Sequence, residues 1–324
     1  MQERQLIAKI LNRFPQESAE LIKGIGDDCA VFGSSPDLCW MTSTDVLVED
    51  VHFVLKWHDA YRLGRKSIAV NLSDIAAMGG RPQFALVSLV LPAHISDPWL
   101  ERFHAGAADM LENHSCLLIG GDISKGATLT INVMLIGSAH PEKVVYRSGG
   151  AEEQDIYVTG YLGASAAGLQ LLKRGDAKPD YDNLIDAHLN PEPQIEIGRT
   201  LAERGLAMAM QDISDGLATD LSHICCESLI QGVIELETLP YTENFPDFCR
   251  EYDSTPEDLA LFGGEDYQLV FTAKRCDRDA ITALADELDV PLTRVGQTKK
   301  GKGCVLLQQN GRVRDISYRG FEHI

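Results

Sequence analysis

Ala69-Val70-Asn71-Leu72-Ser73-Asp74-Ile75-Ala76-Ala77-Met78-Gly79 is the stretch on which the fold turns. It closes a helical pattern that the spacing predicts over Asp59–Met78, with Leu63, Ile68, Leu72 and Ile75 on the apolar side. Asn71 lies one turn before Asp74 and Ser67 another turn back, so the three share a face. A polar stripe of this kind can simply meet solvent. Here Ala69, Val70, Leu72, Ile75, Ala76, Ala77 and Met78 crowd it, which puts the Asp74 carboxylate at the edge of a core, where it needs a partner.

Outward from that helix, strands and helices alternate. Cys39–Ser43 reads as a strand ending in Thr44-Asp45, Phe84–Leu91 as a buried strand, and Pro98, behind a cap at Asp97, opens a helix to about Asn113. Leu117–Gly121 reads as a short strand running into Asp122, and Thr128–Gly137 as another. Between Ser138 and Glu153 the composition turns to Pro, Gly and charge, and the pattern restarts at Ile156-Tyr157-Val158-Thr159-Gly160. The expected domains are therefore residues 1–140 and 150–324, both α/β. The second half mixes strands (Gln268–Thr272, Cys304–Gln308) with helices (Ser165–Arg174, Glu192–Ala202, Leu217–Glu227, Asp279–Glu287).

Acidic residues gather in short knots beside glycine or hydroxyl residues: Gly26-Asp27-Asp28, Ser43-Thr44-Asp45, Ser73-Asp74, Gly121-Asp122, Asp212-Ile213-Ser214-Asp215-Gly216 and Gly264-Glu265-Asp266. Each has a plain alternative. Gly-Asp turns satisfy their own amides, and Ser214 or Asp215 could be only the cap of the helix from Leu217. If the knots converge, their repulsion demands cations, and hard oxygen donors select Mg²⁺ or Mn²⁺. The Gly120-Gly121 pair would also let a backbone approach a phosphate. His52 is an ordinary packed or surface histidine when taken alone, whereas Arg147, in the segment between the halves, suits a bidentate phosphate contact.

A net charge of −19 over 324 residues, with no Lys/Arg run, argues against nucleic acid or an anionic membrane as partner. A phosphorylated ligand would have to arrive with metal. The eight cysteines show neither C-x-x-C nor zinc spacing, as expected of reduced thiols in the cytoplasm. Met1–Pro15 has helical spacing with interspersed charge, which predicts neither signal peptide nor membrane span. P-loop, protein-kinase and nucleophile-elbow motifs are absent from the sequence.

Taken in order, the knots resemble the thiamine-monophosphate kinases, within the aminoimidazole-ribonucleotide-synthetase-like ATP-binding superfamily. The resemblance runs through Gly24-Ile25-Gly26-Asp27-Asp28-Cys29-Ala30, Ser43-Thr44-Asp45, Val51-His52-Phe53, the Asn71–Gly79 stretch and Gly120-Gly121-Asp122. It continues with Arg147-Ser148-Gly149, Ile213–Leu217, Gly263-Gly264-Glu265-Asp266-Tyr267 and Gly320-Phe321-Glu322-His323. It implies an α/β (α+β) chain of two domains, the first a mixed sheet with helices on one face that binds ATP and Mg²⁺ and dimerises. The second would complete the ATP and substrate site.

The resemblance further implies that Asp28, Ser43, Thr44, Asp45, Asp74, Asp122, Asp212 and Asp215 hold several Mg²⁺ ions. Gly121, Asp122, Arg147 and Ser214 would contact ATP, while His52, Glu265 and a C-terminal aromatic would contact thiamine monophosphate. Tyr318 is the choice for that aromatic and Phe321 the runner-up. A homodimer is expected on the same ground. Asp50 stands where relatives usually carry glycine, and Ile123 where they carry threonine.

The expected reaction needs no general base, because a phosphate monoester's second pKa is about 6 and its oxygens are anionic at neutral pH. It needs relief of repulsion between two anions and in-line alignment. Another ATP-using member of the superfamily and a metal-dependent phosphohydrolase are the competing readings.

Overall fold

The computed structural model describes residues 3–14 and 18–320. After α1 (Glu3–Arg13), the first half contains β1 (Leu21–Lys23), β2 (Ala30–Ser35), β3 (Leu38–Val48), α2 (Ala60–Ala77), β4 (Arg81–Leu91), α3 (Asp97–Asn113), β5 (Leu117–Lys125) and β6 (Thr130–Ala139). The strands form one sheet in the order β1-β2-β3-β6-β4-β5. Neighbours are antiparallel except β4 and β5, a parallel pair joined by α3 as a parallel crossover requires.

β3 and β5 run well past their expected ends. β3 continues past Asp45 to Val48 because β6 offers it an unbroken ladder, from Cys39↔Ala139 to Val48↔Thr130. β5 carries on through Gly120-Gly121-Asp122 to Lys125, so this knot lies inside a strand and forms no turn. Glycine is needed at 121, since a Cβ there would lie 1.8 Å from the Val87 carbonyl oxygen on β4. The cap of α3 is Ser96, not Asp97; its hydroxyl accepts from the Trp99 amide.

The second half contains β7 (Asp155–Thr159), α4 (Ala164–Arg174), α5 (Asp182–Leu189), α6 (Ile195–Arg204), β8 (Ala209–Ile213), α7 (Leu217–Glu227) and β9 (Ile230–Glu235). It ends with α8 (Phe245–Glu251), α9 (Pro256–Phe262), β10 (Gln268–Ala273), α10 (Arg278–Leu288), β11 (Leu292–Lys300), β12 (Cys304–Gln309) and β13 (Arg312–Asp315). The sheet order is β13-β12-β9-β11-β7-β10-β8, with β12 and β9 parallel and the other pairs antiparallel. α6 starts at Ile195 and not at Glu192, because Glu192 precedes Pro193 and is disfavoured in the helical region.

α2 joins the two halves. It packs on β3, β4 and β6 of the first sheet and on α6, β8 and β10 of the second half. As a result 15 of its 18 residues are buried, Arg65, Lys66, Ser67, Asn71 and Ser73 among them. Leu63, Ile68, Leu72 and Ile75 are fully enclosed, and each contributes roughly 1.5–3 kcal/mol of transfer free energy. Asp59 caps its N-terminus, accepting from the amides of Tyr61 and Arg62. A continuous apolar cluster runs from Val31 and Met41 through α2 to Leu269 and Phe271. Among the described residues no helix is long and apolar enough to cross a membrane.

Candidate active site

The alternation of β3 sorts its knot. Ser43 and Asp45 face α2, where the Ser43 hydroxyl donates to Asp74 Oδ2 and the Asp45 amide donates to Asn71 Oδ1 at 3.0 Å. Thr44 faces the other way, exposed, with its hydroxyl bonded to the Val133 carbonyl and the Asn132 amide. The expected Thr44 side-chain ligand is therefore not brought to this group, since successive residues of a strand point to opposite faces.

Three carboxylates converge. Ligand atoms of Asp28, before β2, Asp74, on α2, and Asp212, on β8, all lie within 4.8 Å of one another. Ser73 Oγ donates to Asp212 Oδ2 at 2.7 Å. Burial, with Asp45, Asp212 and Asp28 nearby, raises the Asp74 pKa well above the ordinary carboxylate value. Burial and Asp28 push Asp212 up to about 8, against the opposing pull of the Ser73 bond and Arg147.

Arg147 overlooks the group. Its Nη2 donates to Asp28 Oδ1 at 2.6 Å and its Nη1 lies 3.3 Å from His223 Nδ1. Asp28 Oδ2 and Arg147 Nε are both buried with no partner among the described residues. An orphaned carboxylate oxygen inside an acidic group suits a hard cation, and an orphaned guanidinium donor beside it suits an anion. Asp28, Asp74 and Asp212, with the Ser43 hydroxyl, form an all-oxygen donor set that fits Mg²⁺. Asp27 plays a structural part instead, accepting from the Arg147 amide at 3.2 Å and pairing with Lys23 at 3.3 Å.

The loop after β8 is not capped by its own acids. Gly216 is the N-cap of α7, and the fully buried Asp220, from the first helical turn, accepts the amides of Asp215 and Gly216 at 3.1 and 3.0 Å. Neither Ser214 nor Asp215 is the cap. Asp220 had only a faint signal in the sequence, an acid in a first helical turn reaching back as in a capping box.

The Gly264–Tyr267 turn is threaded against that loop. The Glu265 amide donates to the Ser214 carbonyl at 2.7 Å and the Tyr267 amide to the Ile213 carbonyl at 2.9 Å, with φ of 64° and 48° at the two residues. Asp266 turns inward and accepts from the amides of Gly163 and Ser165, at the start of α4. Glu265 remains a quarter exposed and meets Lys66, a residue no sequence pattern marked.

His52 is half-buried, its Nδ1 accepting from the Val48 amide at 3.0 Å. Asp50, at φ 63°, lies in the left-handed region that glycine adopts without strain. The Tyr318 ring lies 5.5 Å from that of His223, and its hydroxyl donates to the Ser222 carbonyl, so it packs on α7 beside the Arg147 side of the cleft. Phe321 lies outside the described residues.

Gly121 and Asp122 are not brought to the acidic group within the chain. Asp122 pairs with Ser88, Ser88 with Asn132 and Asn132 with Val46, a row on the sheet face away from α2. Three strand spacings, about 14 Å, separate β5 from β3. The mismatch with the expected metal set follows from strand parity and sheet order, which the local motif does not encode.

Residues 26–139 match the N-terminal domain of AIR synthase related proteins and residues 151–307 the C-terminal domain. The thiamine-monophosphate kinase of Escherichia coli (strain K12) is 37% identical over 327 residues, 99% of this chain and 98% of that protein. That of Bacillus subtilis (strain 168) is 32% identical over 329 residues, covering 100% and 99%. Among solved structures, AaThiL complexed with AMPPCP and TMP superimposes with a TM-score of 0.87 at 33% identity, covering all of this chain and 97% of that one.

Proposed function

The chain belongs to the thiamine-monophosphate kinases, among the AIR synthase related proteins, and we propose that it moves the γ-phosphoryl group of ATP directly onto the phosphate of thiamine monophosphate. The observation that carries this reading is the convergence of Asp28, Asp74 and Asp212 beneath an arginine with an unpaired donor. Two anionic substrates can meet in a protein of net charge −19 only if their charge is neutralised locally.

Residues 1–140 would form the domain that binds ATP and Mg²⁺ and dimerises, and residues 150–324 would complete the ATP and substrate site with ligands of their own. Asp28, Ser43, Asp45, Asp74, Asp212 and Asp215 would hold Mg²⁺, several ions together, whereas Thr44 and Asp122, on the other face of the sheet, would do so only across a dimer. Bound there, Mg²⁺ would screen the repulsion between acceptor and γ-phosphate and hold them in line. Arg147 and Ser214 would contact ATP, and Arg147 Nε is a donor available to a phosphate oxygen. His52, Glu265 and Tyr318 would contact the acceptor. No residue is assigned as general base, since the attacking oxygen is already anionic.

Asp122 and Gly121 enter this scheme through a homodimer. β5 is an edge strand, paired with β4 on one side only, with Leu117, Leu118, Ile119 and Ile123 all exposed, an unusual surface for a monomer. Pairing with a second copy would cover it and carry Asp122 of each chain to the other chain's nucleotide. A cytoplasmic setting suits the eight free cysteines.

Incubation with ATP, Mg²⁺ and thiamine monophosphate tests the reading. Thiamine diphosphate and ADP should form in equal amounts, with inversion at a chirally labelled γ-phosphorus. ADP formation that does not need the acceptor would mean a hydrolase, and retention would mean a phosphoenzyme.

A further inference from the structure

Lys66 is a charge enclosed in the seam between the two halves. It sits on α2, eight residues before Asp74, with its side chain 0% exposed. An ammonium group is almost never buried so completely unless its partners require it there. Its Nζ donates to the His188 carbonyl at 2.9 Å and to Glu265 Oε2 at 3.1 Å.

His188 belongs to the same cluster. Its Nδ1 lies 3.1 Å from Glu265 Oε2 and 3.1 Å from Ser165 Oγ. Burial, with Lys66 and His58 nearby, lowers its pKa well below the ordinary histidine value, so it is a neutral partner. Both contacts fall on one carboxylate oxygen. Neither contact uses Oε1 of Glu265, and the side chain as a whole is 25% exposed.

We propose that Lys66 is a positioning residue for the acceptor: it pins Oε2 of Glu265 so that Oε1 is presented, in one orientation, to thiamine monophosphate. This rests on the reading of Glu265 as an acceptor contact. A free glutamate would lose several rotatable bonds on binding, whereas a pinned one has lost them already. The backbone is held to the same end, with Glu265 in the left-handed region and its amide bonded to Ser214. Lys66 and Asp74 also share one rigid helix, about 12 Å apart along its axis. The metal end and the acceptor end of the cleft are thereby kept at a fixed separation by α2, although Glu265 belongs to the other half.

The experiment compares Glu265→Gln, Lys66→Met and the double variant of the full chain, with steady-state kinetics in both substrates. Glu265→Gln and Lys66→Met should each raise KM for thiamine monophosphate by about tenfold or more, with KM for ATP within about twofold of the unaltered enzyme. The double variant should be no worse than Glu265→Gln, because both changes remove the same contact. A Lys66→Met enzyme with unchanged acceptor KM, or a double variant whose KM multiplies the two single effects, overturns the role of Lys66 alone. A Glu265→Gln enzyme with unchanged acceptor KM overturns the underlying reading of Glu265 and the positioning role with it. If Lys66→Met does not fold, the double variant, which removes both charges, is compared with Glu265→Gln: an equal acceptor KM supports the proposal and a further rise overturns it.

Discussion

Nη2 of Arg147 donates to Oδ1 of Asp28 at 2.6 Å, tying the segment between the sheets to the acidic group beneath it. The arginine side chain is 18% exposed and the aspartate side chain 1%.

Removing one partner of such a pair leaves the other charge buried and uncompensated. Arg147→Met should cost about 3–5 kcal/mol of stability. Arg147→Lys keeps the charge but loses the fork that reaches both Asp28 and His223, so it should fold with KM for ATP raised about tenfold. Urea melts and substrate titrations check the two outcomes.

Asp74→Asn and Asp212→Asn relieve repulsion in the apo protein while removing oxygen donors. Each should lower kcat/KM by about a thousandfold or more. Each should also raise the melting temperature in EDTA by a few degrees, about 1 kcal/mol or more. A melting temperature unchanged in EDTA would mean that the carboxylates do not repel one another.

Stability should depend on pH with a definite sign. Asp212 has a folded pKa of about 8 and Asp74 is raised too, whereas an unfolded aspartate titrates near 3.9. The folded state therefore holds more protons between those values, and its stability falls as pH rises from about 4 through about 8. Melting in EDTA at pH 6 and pH 8 should show the loss, and Asp212→Asn should flatten it. Added Mg²⁺ should stabilise more at pH 8 than at pH 6, because it no longer competes with protons.

If each site borrows Asp122 from the other copy, two dead enzymes can rescue one another. Asp122→Asn and Asp74→Asn, each inactive alone, should regain about a quarter of full activity after mixing under subunit exchange, since half the dimers are mixed and each has one intact site. No recovery, with exchange verified, would place Asp122 in its own chain's site. Ile119→Lys on β5 should yield a monomer by sedimentation.

Asp50 holds φ at 63° on the approach to His52. Asp50→Gly should relieve up to about 1 kcal/mol of backbone strain, offset in part by the entropy of glycine. Thermal melting measures the difference, and KM for the acceptor should stay unchanged.

The helix around Asp74 was legible because its apolar period is long, and the order of the knots was enough to identify the family. The residue pattern places Asp74 at the edge of a core, but it does not say that β3 closes over Asn71 and Asp74, because an exposed stripe and a covered one have the same period. Thr44 was grouped with its neighbours although strand parity turns it away. The residue pattern ends the strand from Leu117 at Gly121, since only β4 at close range shows it continuing through Asp122 to Lys125. Lys66 carries no signal and Asp220 only a faint one for a common reason: each is significant through the residue it holds, and Lys66 lies 199 positions from Glu265.

α2 also bears on how the chain could have been assembled. A helix covered on both flanks belongs to neither half, and a fragment ending near residue 140 would expose to water the side of α2 that now lies against α6, β8 and β10. Such a fragment should aggregate or melt out, and the intact chain should unfold in a single transition. In inheritance, too, the halves are bound together: a substitution on either flank of α2 is judged against both, so neither half can be exchanged for a foreign counterpart without its mate.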